Sequence, residues 1–296
     1  MIISTTTDWF AKKFGEHDAV KYLSKVGFNA FDYSMFNVLG YNGTLTHPIM
    51  RSDYREYAQS LRKTADENNI TCNQAHAPFP SYIPNPNDDQ EKYNEIILPA
   101  IVRAMEVSAI LGAKNIIVHP ITLDDSKKQK DMNLEFYNKL LPYCKKFNIK
   151  IALENMWGWD DEHNKVTPAV CSTGAEFADY LDSLDKAWFV ACIDVGHGEM
   201  QGAGDSTTEL IYALGRDRLK ALHIHDNDKI HDSHTLPFIG KINWDAIMKA
   251  LKDINYDGDF TFEADSFLIG FPPELYLSAA SLMFDVGRYF VTKYEL

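Results

Sequence analysis

Several things are scarce in this chain, and each scarcity excludes something. Four cysteines in 296 residues, Cys72, Cys144, Cys171 and Cys192, lie far apart and form no CxxC pair. That argues against a disulfide scaffold and fits a reducing compartment. No apolar run approaches the ~18 residues that a membrane-crossing helix needs. The opening stretch MIISTTTDWF has no basic segment followed by an apolar core, so no secretory signal is read there and a soluble, cytoplasmic protein is expected. Positive charge is scarce as well: 29 Lys+Arg against 42 Asp+Glu give a formal charge of −13. An excess of anions repels a phosphate backbone, so no nucleic-acid partner is expected. No linker rich in Pro, Gly or Ser divides the sequence, and residues 1–296 read as one domain.

The composition that remains is that of a globular protein, 45% hydrophobic and 24% charged, which rules out a disordered or fibrous chain. Short β-rich runs fall at 1–7, 30–36, 71–78, 115–120, 150–155, 188–195, 221–225 and 260–264. Some, such as NIIVH, IALE and FTFEA, are continuously apolar, as expected for strands covered on both faces of a parallel sheet. Amphipathic stretches at 53–68, 93–111, 134–147, 175–184 and 275–293 read as helices between them. Eight β-then-α units in a chain of this length predict an α/β fold, a single (β/α)8 TIM barrel.

In such a barrel the active site is built at the carboxyl ends of the strands. Those ends read QAHAP, VHP, LEN, IDVGH, HIHD and FEAD from the third run onward. Of ten histidines, seven sit at or just beyond them: His76, His119, His197, His223, His225, His231 and His234. A lone histidine at a strand end is ordinarily a hydrogen-bonded core residue. Histidines and carboxylates from several strands at one mouth are different, because unpaired buried carboxylates are costly. Together they are the ligand chemistry of a divalent ion.

The segments IALEN, CIDVGHGEM, LHIHDND and FTFEAD, in that order, resemble the xylose-isomerase-like sugar (phosphate) isomerase/epimerase superfamily. That superfamily includes ketose 3-epimerases, inosose dehydratases and endonuclease IV, and the resemblance spans nearly the whole chain. In the ketose 3-epimerases one Mn²⁺-type ion is held by positions that match Glu154, Asp194, His225 and Glu263. The resemblance further implies His197 as a substrate contact, with Asp160 where epimerases carry Glu, and His231 where they carry an Arg that grips the sugar. His223 would be a neighbour of the ligands. Trp157, in the aromatic stretch MWGW, is a candidate for stacking on a sugar face. For LPFIGKINW the expectation is structural: Asn243 caps a helix and Trp244 packs beneath it.

The implied activity is that of an isomerase or epimerase of EC class 5 acting on a small carbohydrate, free or phosphorylated. A carbon-bound proton leaves beside a carbonyl through a metal-held enediolate, with Glu154 and Glu263 as the acid/base pair. Epimerisation, isomerisation and dehydration of the inosose dehydratase kind share that apparatus. The expected cofactor is one divalent ion, Mn²⁺ or Zn²⁺ first, with Co²⁺ or Mg²⁺ as alternatives, and no organic cofactor. Relatives often form dimers or tetramers, so a homo-oligomer is an open expectation. The competing resemblance is to endonuclease IV, which cleaves abasic DNA with three zinc ions. Its ligand pattern is matched by His76, His119, Glu154, Asp194, His197, His225, Asp232, His234 and Glu263. His76, His119, His197, Asp232 and His234 are therefore expected either to bind substrate or to hold further metal. The charge of −13 and the lack of a basic strand-end loop favour the sugar reading.

Overall fold

Apolar, β-branched and aromatic residues make the strands. FVACID at Phe189–Asp194 is buried at every position, and only the first residue of KIALE at Lys150–Glu154 reaches solvent. Strands buried on both faces need helices outside and side chains inside, which is the demand a closed parallel barrel meets. The structure, a computed structural model, describes residues 1–39, 47–82, 93–123 and 126–296.

Eight parallel strands form the barrel: β1 (Ile3–Thr6), β2 (Ala30–Ser34), β3 (Thr71–His76), β4 (Asn115–Ile117), β5 (Lys150–Glu154), β8 (Phe189–Asp194), β9 (Leu219–His223) and β10 (Phe260–Phe262). They are hydrogen-bonded in chain order, with β10 beside β1. The parallel bridge Ile224↔Phe262 and the bond from Glu263 N to Ile224 O close the ring between β9 and β10. Two further strands, β6 (Trp157–Asp160) and β7 (Lys165–Pro168), form an antiparallel hairpin outside the barrel. The aromatic stretch at 156–159 thus opens a hairpin.

Helices surround the sheet: α1 (Asp8–Phe14), α2 (Glu16–Val26), α3 (Tyr54–Glu67), α4 (Leu98–Leu111), α5 (Ser126–Phe147), α6 (Gly174–Asp182), α7 (Val195–Glu199), α8 (Thr207–Arg218), α9 (Trp244–Asp253) and α10 (Tyr276–Tyr294). The basic run Lys127-Lys128-Gln129-Lys130 lies inside the first turns of α5. No helix among the described residues is long and apolar enough to cross a membrane. Asn243 caps α9 by accepting from Ala246 N, and Trp244 is buried beneath it, as expected.

Inside the barrel the packing changes character. Ile117, Ala152, Val190, Cys192 and Ala221 form a small apolar cluster. A polar seam runs beside it: His223 Nε2 lies 3.2 Å from Asp32 Oδ2, which accepts from Gln74 Nε2 at 2.8 Å. Gln74 Oε1 accepts from Thr261 at 3.2 Å, and Thr261 accepts in turn from Asn73 Nδ2 at 3.2 Å. The seam is fully buried and joins the two ends of the barrel.

Candidate metal centre and active site

The carboxyl ends of the strands deliver the site. Glu154 ends β5, Asp194 ends β8 and His223 ends β9, with His225 two residues on and Glu263 directly after β10. His76 ends β3, and His119 follows β4 by two residues. After β8 the chain turns into α7 at Gly196, because the His225 ring lies against it: a Cβ there would stand 1.9 Å from His225 Cε1. Only glycine tolerates that approach.

At the centre, Glu154 Oε1 lies 2.7 Å from His223 Nδ1, and Glu263 Oε2 is 3.2 Å from the same nitrogen. The two Asp194 oxygens are 3.0 and 3.1 Å from His225 Nε2. To one side, His119 Nε2 is 2.7 Å from Glu154 Oε2 and 3.0 Å from His76 Nε2. To the other, Asp232 Oδ2 is 3.3 Å from His197 Nε2 and 3.2 Å from His234 Nε2. His234 takes a left-handed backbone, φ 42°, and its ring stacks on His225 at 4.0 Å. A non-glycine residue held there costs on the order of 1 kcal/mol, a strain that clusters at functional sites.

These contacts fit a bound cation. His76 Nδ1 lies 2.8 Å from Ala77 O, His197 Nδ1 2.8 Å from Asn155 O, and His234 Nδ1 2.8 Å from Glu263 O. A carbonyl only accepts, so each Nδ1 carries a proton; beside a bound ion, where the ring is neutral, Nε2 turns a lone pair into the site. Those lone pairs meet carboxylate oxygens and one another, an arrangement that an ion between them makes favourable. Asp232 Oδ1, His119 Nδ1 and His225 Nδ1 are buried and make no hydrogen bond among the described residues. Ligand atoms within 4.8 Å of one another form the groups Glu154/Asp194/His223/Glu263, His76/His119/Glu154 and His197/His225/Asp232/His234.

Without an ion the protons distribute unevenly. Burial, then the neighbouring His119, lowers His76 to about 4. Burial also opposes protonation of His197, but the Asp194 and Asp232 carboxylates outweigh it and raise that group to about 10. Burial would raise both glutamates. At Glu154 the His223 and His119 rings reverse it, holding the carboxyl well below its usual range. At Glu263 burial prevails over His223 and His234, with Glu154 and Asp194 adding to it, and the group rises to about 8.

A cavity of about 620 Å³ opens above these groups. His76, His119, Glu154, His197, Asp232, His234, Glu263 and Trp157 line it, whereas Asp194 and His225 lie fully buried beneath. The Trp157 indole donates to Asp232 Oδ2 at 3.3 Å. Asp160 and His231 are not brought in: Asp160 binds His163 on the hairpin at 2.8 Å, and His231, 71% exposed, binds Asp228 at 2.8 Å. Two buried acids escaped the sequence reading. Asp32 grips the far side of His223, and Asp226 accepts from four donors behind His225. An acid inside the apolar strand AFDYS was the available signal for Asp32.

Residues 20–284 match the family described as xylose isomerase-like TIM barrel. Among curated proteins, the chain is 30% identical over 166 residues to the uncharacterized protein y4fM of Sinorhizobium fredii, covering 54% of this chain and 50% of that one. It is 23% identical over 241 residues to a probable endonuclease 4 of Acholeplasma laidlawii, covering 75% and 77%. The match to the first of these relatives thus spans only half of its length. Among solved structures, a D-tagatose 3-epimerase-like protein superposes with a TM-score of 0.73 at 19% identity, covering 100% of this chain and 98% of its own. The IolI protein with a bound zinc atom does so at 0.69 and 16%, covering 99% and 98%. At these identities the structural likeness establishes the fold.

Proposed function

We propose, for a chain that belongs to the family of xylose isomerase-like TIM barrels, a divalent-metal-dependent isomerase or epimerase that acts on a small carbohydrate. The observation that carries this reading is the convergence of histidines and carboxylate oxygens on one mouth, with His76, His197 and His234 each fixed by a backbone carbonyl. The zinc named for the IolI protein and the epimerase likeness in the name of the D-tagatose 3-epimerase-like protein support it. Glu154, Asp194, His225 and Glu263 would hold the ion, with Zn²⁺ and Mn²⁺ the best match to mixed imidazole and carboxylate donors. When bound, the ion supplies Lewis acidity that stabilises the oxyanion left when a carbon beside a carbonyl loses its proton.

The chain's own groups do the rest. Glu154 ends β5 and Glu263 follows β10, with β8 and β9 between those strands, and His223 at the end of β9 touches both carboxylates. One carboxylate removes the proton; the other returns one from the opposite face, which inverts the carbon. His76 and His119 on one flank, and His197 and Asp232 on the other, present hydrogen-bonding atoms to sugar hydroxyls. Phe36 and Phe79 stack at 5.1 Å on the cavity wall and, with Trp157, exclude water. The test is solvent deuterium incorporation into a panel of ketoses, aldoses and their phosphates by the metal-loaded protein. Exchange at one carbon is expected; no exchange across the panel would refute the reading.

A second reading has its own support. The groups His76/His119/Glu154 and His197/Asp232/His234 flank the centre as sites for two further ions, and a probable endonuclease 4 is among the relatives. Hydrolysis of a phosphodiester in abasic DNA by clustered metals would follow. Charge stands against it. Among the described residues, the one Lys or Arg lining the cavity is Lys12, tied to Asp8 at 2.6 Å, and Asp265 lines the same wall. Duplex binding draws on several Lys or Arg contacts to phosphate. Cleavage of an abasic-site duplex, with no exchange into any sugar, would reverse the order of the two readings.

A further inference from the structure

The amino-terminal mouth of the barrel, at the opposite end from the metal centre, holds a second polar cavity of about 310 Å³. Register places Gln74, Asn115 and Lys150 side by side, as Gln74↔Asn115 and Asn115↔Lys150 on successive parallel strands. Residues paired in that way point to the same face of the sheet. Gln74 points inward, where it bonds Asp32 and Thr261; Asn115 and Lys150 therefore face the barrel interior too, and both line the cavity.

The charges there do not balance. Lys114 is paired with Asp259 at 3.2 Å and Lys220 with Asp257 at 2.7 Å. Lys150, half-buried between them, has neither a carboxylate nor a hydrogen-bond partner among the described residues. Asn115, only 7% exposed, also lacks a side-chain partner among them. Asn73 is 3% exposed, and its Oδ1 is buried without one. Buried charges are normally paired and buried amides normally bonded, because each exception costs free energy. Water would satisfy the Asn115 amide and leave the ammonium without a counter-charge. An oxyanion satisfies both.

We propose that this mouth binds a small oxyanion, of which hydrogen phosphate is a simple example. Lys150 Nζ and Asn115 Nδ2 donate to its oxygens. Three lysines against two aspartates leave this cavity one net positive charge in a chain of −13, which gives the anion a local reason to bind there. The site is separate from the metal centre and does not depend on what that centre catalyses.

Equilibrium dialysis of the full chain against radiolabelled inorganic phosphate, at fixed ionic strength, tests the proposal. Saturable binding is expected in the wild type, weakened about tenfold or more in Lys150→Met, the equivalent of one charge-assisted hydrogen bond. Lys150→Arg should restore binding and Asn115→Leu should weaken it. In phosphate-free buffer Lys150→Met should unfold no more readily than the wild type, since it removes an unpaired charge. An absence of saturable binding by the wild type, or equal binding by wild type and Lys150→Met, would overturn the proposal. Phosphate held at the metal centre alone gives that second result.

Discussion

Nε2 of His223 lies 3.2 Å from Oδ2 of Asp32, while the opposite nitrogen of the same ring touches Glu154 and Glu263. Asp32 never reaches the cavity, yet it fixes the ring that sets the position of both glutamates. Outer partners of this kind commonly cost 10–100-fold in metal affinity or activity when removed. Asp32→Asn should therefore weaken metal binding or turnover by about 10–100-fold while the fold is retained. Metal titration and steady-state rates on the same preparation check this. An Asp32→Asn variant with wild-type values for both would show that the His223–Asp32 contact is only packing.

Glu154 contributes to more than one of the donor groups, meeting His119 with Oε2 and His223 with Oε1. Its loss should do more damage than the loss of any flanking histidine. Elemental analysis of the purified protein is expected to give one tightly held divalent ion per chain, absent after chelation and absent in Glu154→Gln. In His197→Ala the central ion should remain. Turnover in Glu154→Gln should fall by roughly 10²–10⁴, the range for removing a proton-transfer group. Three ions per chain would instead favour the hydrolytic reading.

The barrel was legible because its signals are local and repeated. Alternation of apolar runs with amphipathic stretches needs no knowledge of contacts, and glycines such as Gly27 and Gly112, left-handed at the ends of α2 and α4, mark where helices stop. The strand-end histidines were visible for the same reason: a barrel places every carboxyl end at one mouth. Contacts made across the barrel were not visible. Asp32 and His223 are 191 residues apart, and nothing beside either names the other. Asp160 and His231, implied as substrate contacts by the resemblance, show the opposite limit, since a position along the chain does not say where its loop folds. Both bond locally, to His163 and Asp228, three residues away in each case.

Acid should expose one structural ion pair away from the site. Arg55 binds Glu106 with two nitrogens, at 2.6 and 3.0 Å, and Tyr54 adds a third donor at 2.7 Å. The guanidinium, against the opposing effect of burial, holds the Glu106 carboxyl below its usual range. A depressed folded value means that the ionised form is the stabilising one. Its contribution is complete above the unfolded value of about 4.3 and disappears as the pH falls through the folded one. Glu106→Gln should thus cost about 0.5–1 kcal/mol at neutral pH, allowing for the exposure of Arg55, and progressively less in acid. Urea midpoints of both proteins between neutral pH and pH ~3 would show it. A constant gap across that range would mean that the ion pair contributes nothing through its charge.

Asp226 anchors the segment that leads from the metal centre into α9. Its Oδ1 accepts from Asn227 N at 2.8 Å and Ile242 N at 3.1 Å, and its Oδ2 from Phe238 N at 2.9 Å and Trp244 Nε1 at 2.8 Å. The residue is fully buried, and Gly240 is held so close that a Cβ there would come within 2.2 Å of Oδ1. Asp226→Asn preserves size but replaces one acceptor with an NH₂ group. Whichever way the amide turns, that NH₂ faces two N–H donors, so the site loses two hydrogen bonds and gains a repulsion. Two buried donors left unpaired predict a loss of about 2–4 kcal/mol. Because Asp226 directly follows His225, metal affinity should fall with stability, which a substitution in a remote helix would not cause. Urea unfolding with and without added metal separates the two effects. A variant within about 0.5 kcal/mol of the wild type, the range of ordinary surface changes, would mean that the segment is held by Trp244 and its neighbours without the carboxylate.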